Sequence, residues 1–313
     1  MRVIFLGSPE CSCPYLPAIQ QAGGEIAAVV TQPDRRRGRG RALCPPPMKL
    51  AAEALELCVF QPVSCRDEAL MAELRALQPD ILLVVAFGQI LCPEFLSLPR
   101  VAALNVHYSL LPRLRGAAPV QHALLQGLPE TGVTLQHLAP ELDAGDVVGQ
   151  RRLRVDAEDD VPLLTGRLTG LGVELVRELL PQVMAGTAPR TPQDDSQATW
   201  APRLTKADGA IDWADSAQNI NNRVRAMNPW PGARCRVGAD TLGILRARVV
   251  GDVRFVAVPG TIVDVRKGSG PIIATGDGAL ELVAVRPHGR KVMGGAEYMR
   301  GARLQVGDVL LPG

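Results

Sequence analysis

The sequence predicts an α/β fold in two parts: a Rossmann-like domain with a parallel sheet, followed by a small OB-like β-barrel. Three patterns carry that reading. Short apolar runs alternate with helix-spaced segments as far as His107, the mark of a doubly wound parallel sheet. One of those runs, Ile81–Ala86, is apolar throughout, as a strand covered on both faces requires. Later in the chain, short strands punctuated by turn residues such as Gly276-Asp277-Gly278 replace the alternation, a pattern of small barrels and sandwiches.

In chain order, Arg2–Leu6 reads as a buried strand ended by Gly7-Ser8-Pro9, and Glu25–Val30 as a second. Met48–Leu57 and Asp67–Leu77 have helical spacing, the latter with Asp67 near its start. Ala103–Val106 is the strand after Ile81–Ala86. A short helix to Gly127 leads to two strand-like stretches, Thr131–Leu138 and Asp146–Val155, and Leu163–Met184 is a long amphipathic helix. A segment of Gly, Pro and polar residues without apolar periodicity follows, and it marks a linker. The expected division is 1–188 for the catalytic domain, 189–205 for the linker and 206–313 for the barrel. Its strands are Thr241–Val250, Gly260–Val265, Ile272–Thr275 and Ala279–Val285.

Composition excludes several classes. The 313 residues suit two domains at roughly 100–200 residues each. Lys and Arg number 34 against 32 Asp and Glu, so the net charge of +2 argues against a uniformly basic nucleic-acid coat but leaves room for a local basic patch. No run reaches the roughly 18 apolar residues of a membrane span, and no leader is expected from the first residues. The 7 cysteines are irregularly spaced, without a C-x-x-C pair, which favours free thiols in a reducing cytoplasm over a zinc ribbon or disulfide framework.

Generic motifs are missing: no G-x-G-x-x-G follows the first strand, and no Walker lysine loop or H-E-x-x-H occurs. What remains is Asn105-Val106-His107, at the end of a buried strand where α/β sheets bind ligands. Alternation puts Asn105 and His107 on one face. An amide donor beside an imidazole can hold a developing oxyanion and move a proton. Ser109-Leu110-Leu111-Pro112 then forms a non-helical turn, and Arg113 and Arg115 precede the small residues Gly116-Ala117-Ala118. The acidic turn Glu141–Asp146 offers a carboxylate to orient His107, and spacing alone does not choose between Asp143 and Asp146.

Together, Asn105-Val106-His107, Ser109–Pro112, Arg115–Pro119 and Leu142–Asp146 resemble the formyltransferase family that uses 10-formyltetrahydrofolate. So do Thr31-Gln32-Pro33-Asp34, Phe60-Gln61-Pro62-Val63, Glu130–Thr134, Asn228-Pro229-Trp230-Pro231 and Gly260-Thr261-Ile262, so the likeness runs nearly end to end. It implies a Rossmann-like formyltransferase domain with a C-terminal OB-like barrel. It also implies Asn105, His107 and Asp143 as the catalytic trio. The folate pocket would be formed by Phe87, Gly88, Gln89, Ser109, Leu110, Leu111, Pro112, Leu142 and Gly145. No metal is expected, because the formyl donor is already activated. Tyr108 departs from the pattern, since the family usually has a small residue there, and Cys11 and Cys13 are also unexpected in the first loop.

Arg35, Arg36, Arg37, Arg39 and Arg41 form a basic run after the second strand. Guanidinium forks pair with phosphates. The chain is most similar to the branch of the family that acts on initiator methionyl-tRNA, whose matching loop enters the acceptor end of the tRNA. The expected partner is therefore initiator methionyl-tRNA, bound also by basic residues of the barrel, Arg223, Arg225, Lys267, Arg290 and Lys291, and the enzyme is expected to be a monomer. Two alternatives differ in class: a relative acting on a sugar nucleotide or small amine, and a catalytically silent RNA-binding protein.

Overall fold

The computed structural model describes residues 1–37, 42–251, 256–266 and 268–313. Arg39, Arg41 and Lys267 lie outside the described residues. The chain forms two compact units: Met1–Pro119 with Glu130–Arg154 and Thr165–Ala201, and Val120–Pro129 with Val155–Leu164 and Pro202–Gly313.

The first unit is built on strands β1 (Arg2–Gly7), β2 (Glu25–Val30), β3 (Arg35–Arg37), β4 (Ala42–Cys44), β5 (Val59–Phe60), β6 (Ile81–Val85), β7 (Ala102–His107), β8 (Glu130–His137) and β9 (Val147–Arg154). Helices α1 (Tyr15–Gln21), α2 (Pro47–Glu53), α3 (Glu68–Ala76) and α4 (Pro93–Leu96) lie between the strands as far as β7. Seven strands form one sheet in the order β5-β2-β1-β6-β7-β8-β9. The expected parallel pairing holds from β5 to β7, whereas β8 and β9 pair antiparallel. Residues 138–146, which join β8 to β9, are fewer than the dozen or so that a parallel crossover needs. The chain reverses its direction of travel across the sheet between β1 and β6, the switch point at which such sheets bind ligands.

β6 is buried along its whole length, as its unbroken apolar run requires. Ile4, Leu6, Leu82 and Val84 face Leu70, Met71 and Leu74 of α3 in one core cluster, each large apolar side chain contributing about 1.5–3 kcal/mol on burial. Asp67 caps α3, accepting from the Ala69 and Leu70 amides. On the opposite face Phe5 stacks on Tyr15 of α1 at 6.5 Å between centroids.

The second unit begins with α5 (Pro119–Leu125), whose first residue belongs to the first unit, and takes in the first turn of α6 (Val161–Met184). It continues with α7 (Ala217–Met227), β10 (Arg234–Val237), β11 (Asp240–Val250), β12 (Ile262–Val265), β13 (Pro271–Ala274), β14 (Ala279–Pro287), β15 (Met293–Gly294) and α8 (Gly295–Ala302). Its antiparallel sheet runs β10-β11-β14-β13-β12. The tail bonds both edge strands, Leu311 pairing with Arg236 of β10 and the Asp308 carbonyl accepting from Ile262 of β12, and the antiparallel sheet is a curled half-barrel rather than a closed barrel. The Asn228-Pro229-Trp230-Pro231 motif has a structural use here. Asn228 Nδ2 donates to the carbonyls of Val224 (2.8 Å) and Ile244 (3.0 Å), tying α7 to β11.

Candidate active site

Asn105 and His107 stand on the face of β7 shared with Ala103, which packs against the α3 side of the core. Register sets Asn105 between Val84 of β6 and Gln136 of β8. Asn105 is half-buried, and among the described residues its amide has no hydrogen-bond partner.

His107 is buried, and each ring nitrogen faces an acceptor. Nε2 donates to the Leu114 carbonyl at 2.9 Å, and Nδ1 lies 3.7 Å from Asp143 Oδ2. Leu114 (φ 59°) and Asp143 (φ 52°) both occupy the left-handed region, which is costly for residues with a Cβ and concentrates at functional sites. Two donors fix the Asp143 carboxylate: Gly116 N–H to Oδ2 at 2.9 Å and Gln136 Nε2 to Oδ1 at 3.1 Å. Only glycine fits at 116, where φ is 121° and a Cβ would sit 2.7 Å from the Ala201 carbonyl oxygen. Asp146 is engaged elsewhere, accepting from Arg190 Nε at 2.6 Å. Beside it, burial and then the Arg190 charge hold the His137 imidazole below its ordinary pKa. Of the two carboxylates left open by spacing, Asp143 is the one against His107.

The Ser109–Pro112 turn is braced from β8 and β9. Thr134 Oγ1 donates to the Ser109 carbonyl (2.7 Å) and accepts from Leu111 N–H (3.2 Å), while Gln150 Nε2 donates to the Leu111 carbonyl (2.8 Å). Ser109 spends its own hydroxyl on the Arg113 carbonyl at 2.6 Å. Leu111 is buried and Leu110 half-buried; Leu142 is 59% exposed.

At the end of β6 the Phe87 ring is in the core, and its carbonyl accepts from Ser8 Oγ (3.1 Å) and Gln32 Nε2 (3.3 Å) across the switch point. Gln89 braces the 62–65 loop through Pro62 and Cys65. Gly88 has φ 88°, and nothing lies within 4 Å of where its Cβ would be. Gly145 packs so closely that a Cβ would meet the His137 carbonyl oxygen at 1.8 Å, which makes it a fixture of the acidic turn.

Tyr108 points away from this face. Its hydroxyl lies 2.9 Å from Thr169 Oγ1 and 3.3 Å from the Tyr15 hydroxyl. Thr169 spends its own proton on the Thr165 carbonyl, so Tyr108 donates to Thr169 and Tyr15 donates to Tyr108. Burial, foremost, pushes the pKa values of both phenols and of the Cys11 thiol upward. Tyr108→Phe is expected to cost about 0.5–1.5 kcal/mol in urea unfolding and to leave turnover within about twofold. A collapse of turnover in the folded variant would place the ring in the site.

Of the arginine run, Arg35, Arg36 and Arg37 form β3, paired antiparallel with Cys44, Leu43 and Ala42 of β4, and residues 38–41 lie outside the described residues. The root of β3 is fixed: Asp34 accepts from Gln61 Nε2 (2.7 Å) and pairs with Lys49 (3.1 Å). These contacts, the Gln61 hydrogen bond first, hold the Asp34 carboxyl below its ordinary pKa. Arg35 Nη2 donates to Gln32 Oε1 at 2.9 Å. The Thr31–Asp34 and Phe60–Val63 motifs thus meet at the foot of β3.

Sequence reasoning missed one element of the site. Arg115 is 4% exposed and is not a free cation: it grips Gln193 Oε1 through Nε (3.1 Å) and Nη2 (2.8 Å), and Asp195 at 2.6 Å. Thr191 also pairs with Val147, so residues of the segment read as a linker lie in the first unit. No apolar periodicity signals this, because the contacts are made by backbone groups and one amide.

The formyl transferase family profile matches residues 1–180, and that of the formyl transferase C-terminal domain matches residues 203–303. Methionyl-tRNA formyltransferase of Moorella thermoacetica is 42% identical, covering 99% of both chains. That of Bacillus subtilis is 38% identical over 99% of this chain and 97% of its own. Among solved structures, HypX from Aquifex aeolicus in complex with tetrahydrofolic acid superposes with a TM-score of 0.67 at 20% identity. The match covers 98% of this chain, which spans 48% of HypX. The N-formyltransferase from Helicobacter canadensis, in complex with folinic acid and dTDP-3-aminofucose, gives 0.67 at 16% identity over 90% of this chain and 98% of its own. The structural likenesses speak for the fold, and the full-length sequence likeness for the lineage: the chain belongs to the formyltransferase family, in its methionyl-tRNA formyltransferase branch.

Proposed function

We propose that the protein transfers the formyl group of 10-formyltetrahydrofolate to the α-amine of methionine esterified to initiator tRNA, as a monomer in the cytoplasm. The observation that carries this reading is the Asn105 amide, unengaged among the described residues, beside the His107–Asp143 pair at the carboxyl end of β7. When bound, the folate supplies an activated formyl carbon. The residues present fit it: the open, side-chain-free backbone at Gly88 and the apolar faces of Leu110 and Leu142 would hold a flat ring. Phe87, Gln89, Ser109, Leu111, Pro112 and Gly145 shape and brace the loops around it.

The acceptor amine attacks as the free base. Asn105 Nδ2 donates to the acyl oxygen as negative charge gathers there. The amine loses one proton and the departing nitrogen gains one, so a proton is relayed and none is consumed. His107 Nε2 is occupied by the Leu114 carbonyl, so Nδ1 is the nitrogen that exchanges this proton, and Asp143 holds the ring for it.

The arginine run supports a tRNA acceptor, since a small amine needs no such basic arm. Arg35, Arg36 and Arg37, with Arg39 and Arg41, would meet phosphates near the acceptor end, and basic residues of the second unit would follow the tRNA backbone. Replacing Arg37, Arg39 and Arg41 by Ala is expected to weaken tRNA binding and leave folate affinity unchanged. The slope of log affinity against log salt should shrink by up to about 0.7–0.9 per lost contact. Unaltered tRNA kinetics across a salt series would make the arginine run a solvated turn and remove this support.

A further inference from the structure

We propose that Gln193 is a positioning residue that sets the Asp143 carboxylate against His107. This rests on the function proposed above and adds to it a residue outside the Asn105–His107–Asp143 trio. The side-chain amide of Gln193 is used at both ends. Its oxygen accepts two bonds from the nearly buried Arg115 guanidinium. Its nitrogen donates to the Asp143 carbonyl at 2.8 Å and the Gly145 carbonyl at 2.7 Å, and lies 3.3 Å from Gln136 Oε1.

Each of these contacts bears on Asp143. The two carbonyls belong to the turn in which Asp143 holds its left-handed backbone. Gln136 is fully buried, and its own nitrogen donates to Asp143 Oδ1. Gln193 Nε2 has two protons for three oxygens, so Gln136 Oε1 receives only a shared, longer contact at 3.3 Å, and Gln136 keeps its nitrogen toward Asp143 because a carboxylate oxygen only accepts. Arg115, held by Asp195 as well, keeps Gln193 from rotating. The neighbouring Gly116 N–H supplies the remaining donor to Asp143 Oδ2. The chain Asp195–Arg115–Gln193–Gln136–Asp143 thus leads from an exposed carboxylate to the buried histidine, and an amide is the one side-chain type that can accept from Arg115 while donating to two carbonyls.

The test separates the donor half of Gln193 from its scaffold half. Gln193→Glu keeps the acceptor for Arg115 and removes the donor; Gln193→Leu removes both. Steady-state formylation of methionyl-tRNA is measured on the full-length protein for both variants, each made also in an Asp143→Asn background. Both are expected to lower kcat at least tenfold, with KM for folate and tRNA within about twofold. In the Asp143→Asn background the further loss should be less than twofold. Wild-type kcat in a folded Gln193→Glu protein, or a full tenfold loss persisting without the Asp143 carboxylate, overturns the proposal. Wild-type protein that formylates no tRNA would instead refute the underlying function, so the two failures are distinguishable.

Discussion

Asp143→Asn is expected to lower the rate of the chemical step by roughly 10²- to 10⁴-fold, the range that a positioned acid–base group supplies. The asparagine is nearly isosteric and can still accept from Gly116 N–H, which holds the turn, while its NH2 replaces the oxygen that accepted from Gln136 Nε2. It presents a neutral amide where Nδ1 of His107 now faces a carboxylate at 3.7 Å. The ring then loses the anion that orients it. Asp146→Asn should leave the chemical step within a few-fold, because Asp146 is tied to the exposed Arg190. Single-turnover rates at saturating folate and tRNA compare the two directly. If Asp146→Asn were the more damaging, the carboxylate facing His107 would not be the one that matters.

Asn105→Ala should fold normally and lose about 2.7–4 kcal/mol of transition-state stabilisation, roughly 10²- to 10³-fold in kcat, by analogy with the removal of one oxyanion donor. Folding should be spared because the amide is only half-buried and has no partner among the described residues to leave unsatisfied. KM should change little, since the bond strengthens only as charge develops on the acyl oxygen. Turnover near wild type in the folded variant would remove Asn105 from the mechanism.

The parts of this arrangement that depend on periodicity were legible in the sequence. The unbroken apolar run of β6 announced a strand buried on both faces, and alternation along β7 put Asn105 with His107. The same alternation places Tyr108 on the opposite face, a signal available without coordinates. Asp143 and Asp146 share one short turn, where spacing carries no direction. Their roles separate only once the backbone turns left-handed at Asp143 and Arg190 claims Asp146. Gln193 was invisible because its bonds run to a guanidinium and to carbonyls far along the chain. The β3–β4 pair has almost no apolar alternation, and α7 buries Asn222 along with Ile220 and Val224, which blurs its helical stripe.

Acceptor choice tests the central claim most directly. Purified protein with 10-formyltetrahydrofolate carrying a labelled formyl group is offered charged initiator tRNA, free methionine and an amino-sugar nucleotide, and the labelled products are separated. Label transferred to the α-amine of methionyl-tRNA, with little on the other two, is the predicted result. Label on the sugar amine in preference to the tRNA, or on no acceptor at all, would contradict the account.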